Sequence, residues 1–276
     1  MTAQTLLQML EKTIQLSTRK AQVNYYEYGT GDKTLLFIPG WCINKTYWEK
    51  QCAFFAQKNY RVIAIDLPGF GASTASRENW SIQAYAQDVE AFIEVLQLEE
   101  VILVAHSMAG DVMLQVASSA NVSIKGLIGI DNFKFVDVVF TPEQQQEMAT
   151  YLDGFIADFK NTSQAYADRF LFHPETPIEV REQVKQDFAN AQPNVALSAL
   201  TSMWQFAAQV NEKLESLPQK LYLLNNDLPP TNEQGLMKHC KSDCEVTYLS
   251  ATGHYPMLEK PNEFNMKLEE LLEKIH

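Results

Sequence analysis

Residues 101–110 read VILVAHSMAG, and this stretch decides the fold that the sequence predicts. Its first five residues are apolar without polar alternation, which is typical of a strand buried on both faces of a parallel sheet. Ser107 follows almost at once, and a helix-like run over 112–117 comes next. A serine between small residues at a strand-to-helix turn fits a nucleophile elbow, because the turn is too tight for large side chains on either side. We therefore expect Ser107 to be a nucleophile.

Other short segments have the character of strands. They lie at 21–28, 34–38, 61–65, 126–130, 220–224 and 245–249. Helical patterns separate several of them, the clearest at 82–96 and after Pro261. This alternation predicts an α/β fold with a doubly wound, mostly parallel sheet. Leu6, Leu7, Leu10 and Ile14 recur at helical spacing, so we also expect a short amphipathic helix before the first strand.

The alternation breaks over residues 133–206, where the pattern is helical and no strand-like run occurs. We interpret this segment as an inserted helical cap and predict a core domain formed by 1–132 and 207–276. The insertion carries nine of the fifteen phenylalanines, at positions 133, 135, 140, 155, 159, 170, 172, 188 and 206. Most of them should pack the cap onto the sheet, and the remainder should line an apolar pocket.

Composition excludes several classes of protein. There are 22 Lys and Arg against 34 Asp and Glu, a formal charge of −12 that repels polyanions, so nucleic acid is not an expected partner. The sequence has no signal-peptide pattern and no run long enough for a membrane span, which favours a cytoplasmic location with reduced cysteines. It predicts no metal site, and it has no glycine-rich phosphate loop, so no cofactor is expected. A homodimer stays open.

Two further segments fit acyl-transfer chemistry at Ser107. Residues 37–41 read FIPGW, where Gly40 allows a close turn, so the Trp41 amide and the Met108 amide are expected to form an oxyanion hole. His254 lies in a loop after the last strand, where it is expected to act as general base on Ser107.

A carboxylate is needed to orient that imidazole, and two candidates follow strands. Asp227 follows the 220–224 strand and is our preferred candidate, while Asp131 ends the 126–130 strand and is the alternative. Of the other polar residues, Asp111 is expected to have a helix-dipole or capping role. We expect His173 to be the one spare histidine able to touch substrate, and His239 to lie on the surface.

The order Ser107, Asp227, His254 resembles the α/β-hydrolase superfamily, in its esterase-like branch with a helical cap, over nearly the whole chain. Residues 66–73 (DLPGFGAS) and 253–261 (GHYPMLEKP) are similar to that family's turn after its fourth strand and its histidine loop. The departures are Pro39 where the family usually has His, alanine for both elbow glycines, and an acid loop one residue short that lacks its glycine.

The resemblance and the motifs together predict a serine hydrolase of small apolar carboxylic esters, thioesters or lactones, acting through an acyl-enzyme on Ser107. A serine nucleophile argues against the related epoxide hydrolases and haloalkane dehalogenases, which need a carboxylate there. Carbon–carbon bond hydrolysis and cofactor-free haloperoxidase activity use the same triad and stay open. So does a small-molecule receptor of this superfamily that turns over slowly.

Overall fold

A computed structural model describes residues 9–119 and 121–275. Its strands form one sheet in the order β1-β2-β4-β3-β6-β7-β8-β9, with β5 paired to β2. The strands are β1 (Leu10–Leu16), β2 (Ala21–Tyr28), β3 (Lys33–Ile38), β4 (Tyr60–Ile65), β5 (Thr74–Ala75), β6 (Val101–His106), β7 (Ile124–Ile130), β8 (Leu221–Asn225) and β9 (Cys244–Tyr248). Pairing is antiparallel from β1 through β2 to β4 and parallel from β4 to β9. The predicted doubly wound, mostly parallel sheet is therefore confirmed.

Helices flank the sheet. They are α1 (Glu49–Phe55), α2 (Ile82–Val95), α3 (Met108–Ser119), α4 (Pro142–Ala157), α5 (Phe159–Phe170), α6 (Ile178–Asn190), α7 (Pro193–Phe206), α8 (Val210–Ser216), α9 (Glu233–His239), α10 (Pro256–Glu259) and α11 (Pro261–Leu272). Helix α1 contacts α11, while α2 packs on α3 and α3 on α8. Ser81 caps α2 by accepting a hydrogen bond from the Ala84 amide, as a serine at this position should. Among the residues that the structure describes, no helix combines the length and the apolar character needed to cross a bilayer.

The strand register brings the site together. His106 at the end of β6 is level with Ile130 at the end of β7, and Ile130 is level with Leu224 in β8. Asn225 is in turn level with Tyr248, the last residue of β9. The loops after these four strands therefore meet at one edge of the sheet, which is where open α/β sheets place their ligands.

Four helices, α4 to α7, occupy the inserted segment between β7 and β8, and α7 contacts both α2 and α3. The helical character expected for 133–206 is therefore observed. The division into a core domain, 1–132 and 207–276, and a separate cap domain stays a prediction.

The amphipathic helix expected near the amino terminus is wrong where it is described. Leu10 and Ile14 lie in strand β1, which pairs antiparallel with β2 along its whole length. Leu10, Ile14 and Leu16 fit the two-residue period of a strand as well as Leu10 and Ile14 fit helical spacing. Backbone pairing with β2 stabilises the strand. Leu6 and Leu7 lie outside the described residues.

Candidate active site

Ser107 lies between β6 and α3 with a φ of 53°, in the left-handed region. A residue with a Cβ adopts this conformation only where its surroundings hold it there. Two backbone hydrogen bonds do so: the Ser107 amide donates to the Ile130 carbonyl (3.0 Å), and the Gly110 amide donates to the Ser107 carbonyl (2.8 Å). The half-buried hydroxyl thus stands on a strained strand-to-helix turn, as a nucleophile elbow requires.

A chain of two hydrogen bonds connects Ser107 to a carboxylate through His254. The distance from Ser107 Oγ to His254 Nε2 is 2.8 Å, and the distance from His254 Nδ1 to Asp131 Oδ2 is 2.5 Å. Because the ionised carboxylate only accepts, Nδ1 carries the ring proton, and Nε2 is free to accept the serine proton. These three side chains have the geometry of a nucleophile, a base and an orienting acid.

The prediction that Asp227 contacts the imidazole is wrong, and the alternative, Asp131, occupies that place. Asp227 is half-buried, and its Oδ1 atom has no hydrogen-bond partner among the described residues. The residue before it, Asn226, faces the histidine loop: its Nδ2 donates to the Gly253 carbonyl (2.8 Å) and to Asp131 Oδ2 (3.2 Å). The Asn226 side chain thus occupies the place predicted for the Asp227 carboxylate, and the carboxylate that contacts His254 follows the neighbouring strand, β7.

The Asp131 carboxylate is surrounded by donors. Besides His254 it receives the Asn226 amide on Oδ1 at 3.1 Å, and Lys134 Nζ lies 2.6 Å from Oδ1. Burial alone raises the pKa of Asp131, but the hydrogen bond from His254 and the nearby Lys134 ammonium outweigh it, so the pKa is lowered below its ordinary value. Asp131 is therefore a buried carboxylate that stays ionised. Sequence reasoning missed Lys134 and Asn226, although both lie within three residues of a candidate acid.

The histidine loop is bonded to residues on both sides of it. The His254 amide donates to the Leu171 carbonyl at 2.8 Å, and the Glu259 carboxylate accepts from the Gly253 and Tyr255 amides at 2.8 and 3.1 Å. A Cβ on Gly253 would come within 2.5 Å of the Leu171 carbonyl oxygen, so only glycine allows this approach. The position of His254 is thus coupled to the inserted segment, which contributes Leu171.

His106, next to Ser107, has a structural role. It is fully buried, and its Nε2 lies 2.7 Å from the His254 carbonyl oxygen, so this nitrogen must carry the proton. Burial, followed by repulsion from His254, lowers the pKa of His106 to about 3. A neutral His106 therefore fixes the backbone of the histidine loop without competing for the proton on His254.

The expected oxyanion donors lie beside the serine. A Cβ on Gly40 would come within 3.0 Å of the Ser107 Cβ, so the 37–41 turn passes directly against Ser107. Met108 is the first residue of α3. Neither the Trp41 amide nor the Met108 amide has an acceptor among residues 9–119 and 121–275. Two free amides at this edge suit a developing oxyanion, and the assignment of Trp41 and Met108 stays a prediction.

The remaining polar candidates lie apart from this chemistry. Asp111 lies in the first turn of α3, and burial raises the pKa of its carboxyl to about 8. Its expected helix-dipole or capping role stays a prediction. His173 accepts from the Glu175 amide through Nδ1 at 3.1 Å. His239 is buried between Glu215 and Asp137, so its expected surface position is wrong.

Two concave features lie away from Ser107. A groove of about 400 Å³ is bounded by α4 and α7 and by the segment before α2, and its lining includes Leu152, Leu197 and Ser202. A smaller one, of about 270 Å³, lies beside the start of β7. In the described part of the chain, no group of three or more His, Cys, Asp or Glu side chains is arranged to hold a metal ion.

Comparison with known proteins places this geometry in a family. A family model described as alpha/beta hydrolase fold matches residues 33–231, a range that includes Ser107 and Asp131. The chain belongs to the alpha/beta hydrolase fold family. This α/β-hydrolase is 32% identical over 151 residues to a non-heme haloperoxidase of Rhodococcus erythropolis, covering 53% of this chain and 54% of that protein. The first matches among curated relatives thus span about half of the relative's length or less.

Solved structures agree on the fold of the α/β-hydrolase. A bromoperoxidase from Bacillus anthracis superposes with a TM-score of 0.81 at 19% identity, covering 96% of this chain and all of the other. An esterase from Exiguobacterium antarcticum gives the same TM-score and the same coverage at 18% identity. At such low identity these similarities establish the shared fold.

Proposed function

We propose that this α/β-hydrolase is a serine hydrolase that cleaves small carboxylic esters, with Ser107 as nucleophile, His254 as general base and Asp131 as orienting acid. The observation that carries the proposal is the unbroken hydrogen-bond chain from Ser107 Oγ through His254 to Asp131, with distances of 2.8 and 2.5 Å. Thioesters and lactones belong to the same class, because they present the same electrophilic carbonyl to the serine.

The reaction follows from the tautomer of His254. Nε2 takes the Ser107 proton as Oγ attacks the carbonyl carbon, and the Trp41 and Met108 amides donate to the oxygen as it becomes negative. His254 then gives its proton to the leaving alkoxide, and an acyl-enzyme remains on Ser107. A water molecule deprotonated by His254 attacks the acyl carbon, which releases the carboxylic acid and restores the serine.

The aromatic surroundings of Trp41 favour an apolar substrate. Its ring centroid lies 5.7 Å from that of Phe155, 5.8 Å from that of Phe159 and 5.1 Å from that of Phe188, and all three phenylalanines come from the inserted segment. The Trp41 indole donates to the Ala196 carbonyl at 2.8 Å, so its polar edge is already satisfied. Aromatic and apolar side chains thus lie next to one of the proposed oxyanion donors, and the formal charge of −12 disfavours anionic substrates. A cytoplasmic location and a homodimer stay predictions.

A fluorophosphonate probe tests the nucleophile. We expect the intact mass to rise by one adduct, located on Ser107 by peptide mapping, because this hydroxyl has a base at hydrogen-bond distance and two free amides beside it. Ser118→Ala is the matched control: Ser118 lies on α3, the helix that follows Ser107, its hydroxyl donates to the Leu114 carbonyl, and the variant should label like the natural protein. Absence of an adduct at stoichiometric probe would refute the serine-hydrolase proposal.

A second candidate, cofactor-free haloperoxidase activity, is favoured by the haloperoxidase and bromoperoxidase names of the proteins that this α/β-hydrolase resembles. Hydrogen peroxide would replace water at the acyl-enzyme and form a peroxycarboxylic acid. That acid oxidises a halide to hypohalous acid and returns the carboxylic acid.

We expect bromination of monochlorodimedone only when acetate, peroxide and bromide are all present, and none with Ser107→Ala. Bromination that does not depend on acetate would contradict this route, because the peroxyacid is formed from the acyl group.

A further inference from the structure

We propose that Lys134 is a positioning residue for the Ser107–His254–Asp131 site: its buried ammonium holds the Asp131 carboxylate in place and sets the pH below which the site loses activity. The inference rests on the proposed function, since it concerns the acid that orients the general base. Lys134 does not touch the reacting atoms and acts only through Asp131.

The contacts of Lys134 are short and leave it no access to substrate. Its Nζ lies 2.6 Å from Asp131 Oδ1 and 2.6 Å from Asn226 Oδ1, and the residue is 6% exposed. Its carbonyl accepts the Asn232 amide at 2.9 Å, which fixes the backbone of the loop. Hydrogen bonds thus fix both the backbone carbonyl and the ammonium of Lys134, and the ammonium stabilises the Asp131 carboxylate that it contacts.

Asn226 completes the arrangement. Its side-chain oxygen accepts from Lys134 Nζ and from the Leu228 amide, while its Nδ2 donates to Asp131 Oδ2 and to the Gly253 carbonyl. Asp131 Oδ1 accepts from Lys134 Nζ and from the backbone amide of Asn226, so Oδ2 is the oxygen that faces His254. Lys134 and Asn226 therefore leave the carboxylate no alternative rotamer without breaking a buried, charge-assisted hydrogen bond.

The charge balance of the site changes as a consequence. Without a neighbouring cation, a buried Asp–His pair carries one negative charge and takes up a proton readily. With Lys134 in contact, the resting pair and the ammonium are together neutral, so adding a proton to the pair creates a net positive charge in a buried place. The Lys134 ammonium therefore disfavours protonation of the pair, and it is one of the groups that lower the pKa of Asp131.

Other titratable groups around His254 do not replace Lys134. The His106 ring lies 4.6 Å from that of His254 between centroids, the Tyr255 ring lies at 5.3 Å, and Glu259 binds the amides on either side of the imidazole. The backbone of His173 packs against Gly253. His106 is neutral, and Tyr255 and Glu259 add no positive charge. In the part of the chain that the structure describes, Lys134 is the only lysine or arginine paired with Asp131.

The test is the pH dependence of Ser107 phosphonylation in the natural protein and in Lys134→Gln, which keeps a hydrogen-bond donor but removes the charge. We expect the acidic limb of the rate profile to move to higher pH by about one unit, since a unit charge a few ångströms away acts on the pair with roughly that strength. Lys45→Gln is the matched control. Lys45 is equally buried and lies 3.0 Å from Asp66 Oδ2, so its loss removes a comparable ion pair without touching Asp131.

An unmoved limb in folded Lys134→Gln, or an equal shift in Lys45→Gln, would overturn the inference. The same comparison can be made without a reaction by following the His254 ring signals against pH in ¹⁵N NMR. In Lys134→Gln these signals should change at higher pH than in the natural protein. Lys134→Arg restores the charge and should restore the profile. If the natural protein is not phosphonylated at all, the proposed function fails, and the NMR comparison still decides the role of Lys134.

Discussion

Asp131→Asn should lower kcat on a p-nitrophenyl ester by about 10³- to 10⁴-fold, whereas Asp227→Asn should leave it within about threefold of the natural protein. The difference follows from what each carboxylate touches. Asp131 Oδ2 lies 2.5 Å from His254 Nδ1, while Asp227 Oδ1 has no partner in the described residues. The two substitutions are chemically identical and lie after neighbouring strands, so each serves as the control for the other.

The amide of Asp131→Asn cannot replace the carboxylate in either of its two orientations. If its NH₂ group faces His254, Nδ1 must accept, the ring proton moves to Nε2, and the imidazole no longer accepts the Ser107 proton. If its oxygen faces His254, the NH₂ group points at Lys134 Nζ, which lies 2.6 Å from the present Oδ1, and two donors meet without an acceptor. The first orientation gives the wrong tautomer, and the second leaves a buried ammonium without its carboxylate.

Steady-state kinetics at the pH optimum measures the effect, and thermal melts of both variants show that each remains folded. Loss of activity in Asp227→Asn, with Asp131→Asn near the natural rate, would mean that the acid comes from β8 and that the contact to Asp131 does not serve catalysis. Fluorophosphonate labelling should slow in the same order, because it needs the same proton transfer from Ser107.

The sheet was predictable because its strands are apolar on both faces and lie between helical patterns. The elbow was also predictable, since a serine between small residues after such a strand leaves few alternatives. His254 could be predicted from its loop after the last strand, and the register explains why it meets Ser107, because parallel strands end at one edge of the sheet.

The choice of acid was not predictable in the same way. Asp131 and Asp227 both follow strands that end at this edge, and which one faces His254 depends on the direction of a side chain in the last residues of a strand. Asp131 has a φ of 49°, a left-handed turn that no periodicity announces, and at the end of β8 it is Asn226 that takes the inward position. A shift of one residue along the strand changes which side chain points toward His254, and this decides which residue is the acid.

At β1, two patterns fitted the same apolar residues. Spacing of three and four predicted a helix through Leu10 and Ile14, and the observed strand satisfies a period of two. Pairing with β2 made the difference, and such a long-range contact is absent from a local pattern. Lys134 was missed for a related reason: a lysine three residues after an aspartate is ordinary on a surface, and only its burial gives it meaning.

Ser107→Ala and His254→Gln should have the largest effects of all, each lowering kcat by about 10⁶-fold. Removing the hydroxyl leaves no atom to form the acyl-enzyme. Removing the imidazole leaves a hydroxyl whose proton has no acceptor, since Nε2 at 2.8 Å is the base within reach. Both variants should still bind substrate, because neither change alters the apolar side chains around Trp41.

The double variant separates a shared mechanism from two independent contributions. If the serine and the histidine act as one unit, Ser107→Ala with His254→Gln should be no slower than either single variant, and the initial burst of p-nitrophenol should be absent in all three. Rapid-quench kinetics on the natural protein supplies the burst amplitude for comparison. If the acyl group is carried only by Ser107, removing His254 from Ser107→Ala should cause no further loss of rate. Losses that multiply in the double variant, or a burst that survives in Ser107→Ala, would therefore show that the acyl group is carried elsewhere.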